Sequence, residues 1–497
     1  ISLYKNTSFF SPFSTIFIDF CSVFSKSTTV ASLPMELITS ILTRLPTKSL
    51  LRFKCVSKAW NSIISSTHFI GLHLAHSLSS DRRLLILNYG THLESTPLKW
   101  GSELDAKIDL TRFDLPSSFS GFEVSICGCC NGLIALVCRN VDDPQLFKFI
   151  LWNPSMNSHF ILPCIPVVGD LSSEFMGVSF GFGYDCGNDD YKIVRIVDYF
   201  HHRDDSRSGG GSDNDVDFDV NGGGNDLVED EDGSDGDNED GGVDVDGEND
   251  GDGSDGDSSD ECSVGFIYRE VMVYSLKENC WKMIHVAYFG DEMKWFCSGA
   301  VINNCIVHWI FWKYRKREPR LRGFDLSSFK WTKLALPDFR GTEKIDCPED
   351  DDGNDTLSKA EFESNDIVAL GVLDECLCIV TRICPEFDNA YVWVMKEYGA
   401  EDSWTKLFNV TEASLVGPLL SSPLASSKGG DEVLLRKADE DGLCWYDLRR
   451  KSVKAEQKIP RSLKLRDVKL CIESLVPVPG VIDGIMEVMK DLRWDSG

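Results

Sequence analysis

Two periods of apolar and polar positions divide the chain. Over residues 33–74 (LPMELITSILTRLPTKSLLRFKCVSKAWNSIISSTHFIGLHL), Leu37, Ile38, Ile41, Leu42 and Leu45 recur at spacings of one, three and four. That is the apolar stripe of a helix. Pro34 suits its first turn, where a missing N–H costs nothing, and Pro46 stops it. Thr47 is placed to cap a second helix carrying Leu50, Leu51 and Phe53. Ser57 is placed to cap a third, with Trp60, Ile63 and Ile64 on one face. Three helices this short cannot enclose so many large side chains among themselves, so part of the stripe must dock elsewhere.

From about residue 83 onward, short β-branched and aromatic runs alternate with turn signals. Two half-units repeat. One is a small-residue start followed by an apolar hairpin: GCCNGLIALV (128–137), SGAVINNCIVHWI (298–310) and LGVLDECLCIV (370–380). Each has Asn-Gly, Asn-Asn or Asp-Glu at its centre, where a tight turn reverses the chain. The other is an apolar strand, a polar turn and a second strand opening on Trp or another apolar residue, at 149–163, 271–284, 323–337, 392–408 and 443–459. Trp281 and Trp331 are 50 residues apart, the period of a kelch-like blade of four strands. Five units are clear. A sixth would pair strands near 84–89 with the C-terminal LCIESLVPV (470–478), closing the ring. The tryptophans are expected to pack between blade strands.

Residues in both parts carry a resemblance. Leu33-Pro34-x-Glu36-Leu37-x-x-x-Ile41-Leu42-x-Arg44-Leu45-Pro46-x-Lys48-Ser49-Leu50, then Val56-Ser57-Lys58-x-Trp60 and Ile63-Ile64, resembles an F-box. The resemblance implies binding to a Skp-type adaptor and, through it, to a cullin ubiquitin ligase. Carried over position by position, the adaptor-facing residues would be Leu33, Pro34, Ile38, Leu42, Leu45, Pro46, Leu50, Val56 and Trp60. For each, burial within the helical unit is the competing reading. Downstream, Gly128-Cys129-Cys130-Asn131-Gly132-Leu133, Leu151-Trp152-Asn153-Pro154, Phe182-Gly183-Tyr184-Asp185, Asp190-Tyr191-Lys192-Ile193-Val194 and Val273-Tyr274-Ser275-Leu276 with Trp281 resemble the F-box-associated domain of plant F-box proteins. That family implies a kelch-like, substrate-binding β domain. It names no target and no substrate-binding residue.

Charge changes the picture in one place. The chain has 79 acidic and 50 basic residues, a formal charge of −29. Residues 208–261 hold 22 acids, 14 glycines and no Lys or Arg, leaving 57 acids against 50 bases elsewhere. The low pI therefore belongs to one insert and argues against a nucleic-acid partner. This insert separates two strands, DYKIVRIVDYF (190–200) and GFIYREVMVYSL (265–276). Its composition predicts disorder. A solvated loop is the expected state; the alternatives are weak cation binding or docking of a basic partner, which as a hypothesis is the internal run Lys313, Arg315, Lys316, Arg317, Arg320 and Arg322. In a second acidic loop, Asp350, Asp352, Asn354 and Glu361 fall at calcium-loop positions. The required Gly is Asp355, so no calcium site is expected.

No catalytic constellation stands out. Cys127-x-x-Cys130 lacks a second pair at zinc spacing, and there is no H-E-x-x-H or P-loop. Gly181-x-Gly183 lies in a β context with no helix behind it. Most cysteines sit in apolar runs, which reads as free thiols in a reducing compartment, cytoplasm or nucleus. Residues 9–24 look briefly like a signal core, but Pro12 and Asp19 interrupt them. No apolar run is long enough to span a bilayer, so no membrane partner is expected.

The expected fold is α+β multidomain: a disordered leader (1–31), a small three-helix F-box (32–74) and an all-β kelch-like propeller (83–497). The propeller would carry a disordered acidic insert (201–262) and an acidic loop (341–366). The expected function is that of a non-catalytic substrate receptor of a ubiquitin ligase, without cofactor or metal. The alternative is a propeller that binds protein or sugar independently of the ligase.

Overall fold

The computed structural model describes residues 34–80, 82–98, 110–143, 145–165, 174–202, 265–288, 292–294, 300–302, 305–313, 319–339, 366–382, 390–410, 415, 422–437, 442–458 and 465–478. The leader, Leu33, residues 203–264, Arg315, Lys316 and Arg317 of the basic run and the calcium-like stretch lie outside them. By chain contacts, residues 1–200 and 267–497 form one unit and 201–266 another.

Among the described residues four helices, not three, precede the strands: α1 (Met35–Thr43), α2 (Thr47–Phe53), α3 (Lys58–Ile64) and α4 (Thr67–Ser79). Helix α4 extends past the expected boundary at 74. Its signals are Ser66, whose hydroxyl accepts from the Phe69 N–H at 3.2 Å, and a buried face of Phe69, Ile70, His73, Leu74 and Ser77. The Gly in its middle and the polar members of that face weaken the apolar period. Ser57 caps α3 as expected, accepting from the Trp60 N–H at 3.1 Å. Thr47 does not cap α2; Pro46 holds that position, and Thr47 is the first helical residue.

The strands form six antiparallel sheets. Blade 1 takes β1 (Arg83–Asn88), β2 (His92–Pro97), β3 (Thr111–Asp114) and, from the far end of the chain, β25 (Asp467–Ile472). Blade 2 is β4 (Phe122–Cys130), β5 (Leu133–Asn140), β6 (Phe147–Asn153) and β7 (Ser158–Ile161). Blade 3 is β8 (Glu174–Asp185), β9 (Asp190–His202), β10 (Gly265–Ser275) and β11 (Cys280–Tyr288), with β9 beside β10 as expected. Blade 4 has β12 (Glu292–Lys294) and β13 (Ala300–Ile302), both paired to β14 (Ile306–Lys313), then β15 (Pro319–Asp325) and β16 (Trp331–Leu334). Blade 5 is β17 (Asp366–Leu373), β18 (Cys376–Arg382), β19 (Ala390–Met395) and β20 (Trp404–Val410). Blade 6 is β21 (Ala425–Ser426), β22 (Glu432–Arg436), β23 (Gly442–Asp447) and β24 (Ser452–Lys458).

The core shows that these sheets close into a six-bladed ring. Each blade turns alternate residues to its two neighbours, the consequence of a period of two. In β1, Leu84 and Ile86 share a cluster with Trp152 and Leu136 of blade 2, whereas Leu85 and Leu87 share one with Trp445 and Leu434 of blade 6. Further apolar clusters join blades 2–3, 3–4, 4–5 and 5–6. Trp152, Trp309 and Trp445 are fully buried, so these are core residues. The ring closes where β1 pairs with β25, Arg83 opposite Ile472 and Asn88 opposite Asp467. The strand expected at 470–478 ends at Ile472, and 473–478 continue as irregular chain.

Turn chemistry sets the registers. Asn131-Gly132 and Asp374-Glu375 all have φ between 50° and 80°, as a two-residue reversal between twisted strands requires. A second device heads the turns of blades 2, 3, 4 and 6. A side-chain oxygen of Asn153, Asp185, Ser275, Asp325 or Asp447 accepts from turn amides two to three residues on. Four residues after each, Asn157, Asp189, Asn279, Phe329 or Lys451 takes the left-handed conformation.

Strand direction gives the ring two unlike faces. The innermost strands of the six blades all end on one face, where the helices also enter β1. On that face the turns within blades 2–6 are two to eight residues long. The strand ends on either side of 203–264 and of 335–365 lie on the opposite face, together with short turns such as 89–91.

Candidate functional site: the free face of the helical module

Helix α1 is apolar around more of its circumference than one contact can cover. Ile38, Leu42 and Leu45, at i, i+4 and i+7, form its inward stripe. Leu42 is buried, and it belongs to one contiguous cluster with Leu50, Ile64, Phe69, Leu74 and blade-2 residues such as Leu133 and Leu151. Leu37 and Ile41, at i and i+4, lie on the adjoining face and are left 51% and 46% exposed. Met35 (51%) and Val56 (46%) are exposed with them. Together they make this module the most apolar part of the described surface on the N-terminal side.

The residues assigned from the sequence therefore separate. Pro34 and Val56 are exposed; Ile38, Leu45, Pro46 and Trp60 are half-buried. Leu42 and Leu50, at 1% and 0%, are enclosed by the chain itself and offer no surface in this conformation. Leu33 lies outside the described residues. Met35, Leu37 and Ile41 were not in that set. Leu37 and Ile41 form a second i, i+4 pair on α1, offset from the stripe that fixes the core, but spacing does not say which of the two faces is covered.

Around the apolar patch the charge is one-sided. Glu36 is the single acid from Pro34 to Ile64, against exposed Arg44, Lys48, Arg52 and Lys58. Lys54 is partly buried, which lowers its pKa. The rim favours an anionic partner surface. The inner side of the module is fixed. Phe53 and Trp60 meet edge-to-face at 5.4 Å, tying α2 to α3. The ring of His73 lies 3.0 Å from the Leu45 carbonyl through Nε2. A carbonyl only accepts, so Nε2 carries the proton, and burial pushes the pKa of His73 down to about 4.

Cys127 and Cys130 are buried free thiols, and burial raises both pKa values far above the reactive range. Among the described residues no group of three or more His, Cys, Asp or Glu could hold a metal. No described helix is long and apolar enough to cross a membrane. Asp185 is fully buried and joins blade 3 to blade 4. It accepts from Lys192 Nζ at 2.5 Å and from the hydroxyl of Ser327, while Lys192 also reaches the Leu326 carbonyl at 2.8 Å. His308 is likewise buried in β14, its Nε2 2.8 Å from the Tyr398 hydroxyl.

Comparison with known proteins places this geometry. Residues 31–70 match the F-box domain. The chain is similar to F-box protein CPR1 of Arabidopsis thaliana, 28% identical over 477 residues, covering 94% of this chain and 92% of that one. It is also similar to an F-box/kelch-repeat protein of the same plant, 33% identical over 34% of this chain and 46% of the relative. Likeness to solved structures is faint, as with a chain in the crystal structure of a nidogen/laminin complex. That alignment has a TM-score of 0.35 and 8% identity, covering 79% of this chain and 99% of the other. The chain carries an F-box domain ahead of a six-bladed β-propeller, and its homologues include plant F-box proteins.

Proposed function

We propose that this protein is the substrate-recognition subunit of a Skp–cullin–F-box ubiquitin ligase. In this reading Leu37, Ile41, Met35, Pro34 and Val56 meet the adaptor, flanked by Ile38, Leu45, Pro46 and Trp60. Leu42 and Leu50 act from beneath, holding α1 and α2 against the ring. The propeller, of the kelch-like F-box-associated class, presents a target on the face away from the helices. Catalysis belongs to a conjugating enzyme recruited by the assembly. The receptor supplies proximity and orientation. It would act in cytoplasm or nucleus, where its thiols stay reduced.

The observation that carries this reading is the free apolar face of α1 with its basic rim. Leu37 and Ile41, with Met35 and Val56, are the exposed apolar side chains such a partner would cover. The test is co-purification with a Skp-type adaptor. Leu37→Asp with Ile41→Asp should cut adaptor affinity at least 100-fold while the melting temperature holds, because neither side chain is in the core. Leu42→Asp is a poor test, since it would also disrupt the cluster shared with blade 2. Undiminished adaptor binding by the Leu37/Ile41 variant would overturn the assignment. Recovery of adaptor without cullin would favour a ligase-independent binding protein.

A further inference from the structure

Asn153 does something that the matching residues of the other turns do not. Its Oδ1 accepts from the N–H groups of Ser155 and Met156 at 2.9 and 3.2 Å, closing its own turn. Carboxylates do the same at Asp185, Asp325 and Asp447. Asn153 alone among them has an amide nitrogen, and Nδ2 donates to the carbonyls of Ser474 at 3.2 Å and Val476 at 2.7 Å. The neighbouring turn completes a socket. Gly132 has φ +80°, and a Cβ there would stand 2.1 Å from Ser474 Cβ and 2.9 Å from the Ile472 carbonyl, so no side chain fits. The N–H of Ser474 donates to Ser155 Oγ at 3.2 Å.

The segment seated in that socket also holds the helices. Glu473 Oε2 accepts from the Thr47 N–H at 3.3 Å, supplying the first turn of α2 with the negative charge its N-terminus favours. The N–H of Glu473 donates to the Arg82 carbonyl at 3.2 Å, and an Arg82 guanidinium nitrogen donates to the carbonyl of Arg44. Leu475 and Val476 belong to the same apolar cluster as Leu42, Leu50 and Leu74.

We propose that residues 473–476 are a clasp fixing the orientation of the helical module on the ring, with Asn153 as its positioning residue. The two sequence phrases that hold Gly132 and Asn153 thus serve an internal docking site and not a target surface. Only the consequence rests on the ligase reading: adaptor face and target face are held at one separation, as a rigid arm requires. The coupling itself does not.

Hydrogen exchange on the full chain tests it without an adaptor or target. Asn153→Asp keeps the oxygen that three other turns use, but removes both donors and sets an anion against two carbonyls. Amides of α2 and α4 should then exchange at least tenfold faster, while those of blades 4 and 5 keep their protection. Asp447→Asn, the reverse exchange in a matching turn, should leave the helices unchanged. Wild-type protection of the helices in Asn153→Asp, or an equal loss over all blades, would overturn the proposal. If that variant does not fold, Glu473→Ala takes its place. Faster exchange confined to α2, α4 and residues 473–476 supports the clasp, and no change there refutes it. Adaptor affinity should stay at the wild-type value in Asn153→Asp, whereas Leu37→Asp loses it, so the two ideas fail separately.

Discussion

Arg269 and Asp198 lie on paired strands just outside the long insertion, and their removal separates two views of what holds that hairpin. Arg269 donates from Nε to Asp198 Oδ1 at 2.6 Å and from Nη2 to Oδ2 at 2.9 Å, a bidentate pair with side chains 1% and 4% exposed. The guanidinium also stands 4.2 Å over the ring of Phe311 in blade 4. Arg269→Leu removes the cation and leaves a carboxylate buried without it, for which about 3–5 kcal/mol of destabilisation is expected. The double variant Asp198→Leu/Arg269→Leu removes both charges and fills the space with apolar atoms. Desolvating two ions offsets most of the attraction between them, so this variant should lie within about 2 kcal/mol of wild type despite the lost cation–π contact. The assay is urea denaturation followed by tryptophan fluorescence, since Trp309 sits in the adjoining cluster. Arg449→Ala is the control. Its partner Asp431 is 2.8 Å away, but the two side chains are 79% and 48% exposed, so solvent screening leaves little to lose. A loss below about 1 kcal/mol in Arg269→Leu, or a double variant as weak as the single, refutes the reasoning.

Two more outcomes follow from burial. His73 and His308 both have pKa values lowered by burial from 6.5 to about 4, so the unfolded chain binds more protons than the folded one between those values. Their stability contribution is complete above pH 6.5 and declines as pH falls, by about 2 kcal/mol apiece at pH 5. Denaturation midpoints between pH 7 and 5 measure it. His308→Gln should lose its half of the slope, and an unchanged slope in that variant contradicts the assignment. Leu50→Ala, at a fully buried position linking α2 to the ring, should cost about 2–5 kcal/mol. Val56→Ala, on the free surface, should change stability by no more than about 0.5 kcal/mol. Equal effects at the two sites would show that the division into core and contact face is wrong.

Local signals and long-range ones differ in how much of this was legible beforehand. The α1 stripe, the Ser57 cap, the Asn-Gly and Asp-Glu reversals and the two strands flanking the insertion each depend on residues a few positions apart. Each was readable as periodicity or turn chemistry. Helix α4 was overlooked because its buried face includes His73 and Ser77, which do not count as apolar in a periodic pattern. The exposure of Met35, Leu37 and Ile41 was not legible for a different reason. Periodicity marks which residues share a face, but not which of two adjoining faces a neighbour will cover.

The sequence alone determined the helical start, the four-stranded repeat and the closing of a sixth blade by the chain's far end. Hydrophobic period and turn residues act locally and are written in consecutive positions. Only the tertiary structure decided that Leu42 and Leu50 face inward, and that Glu473 supplies the N-terminus of α2 across 426 residues of chain. It also decided that Asn153 carries a second role beyond its turn. Those contacts exist because ring closure brings residues 473–476 beside the helices, and nothing in the spacing of residues records which side chains then meet.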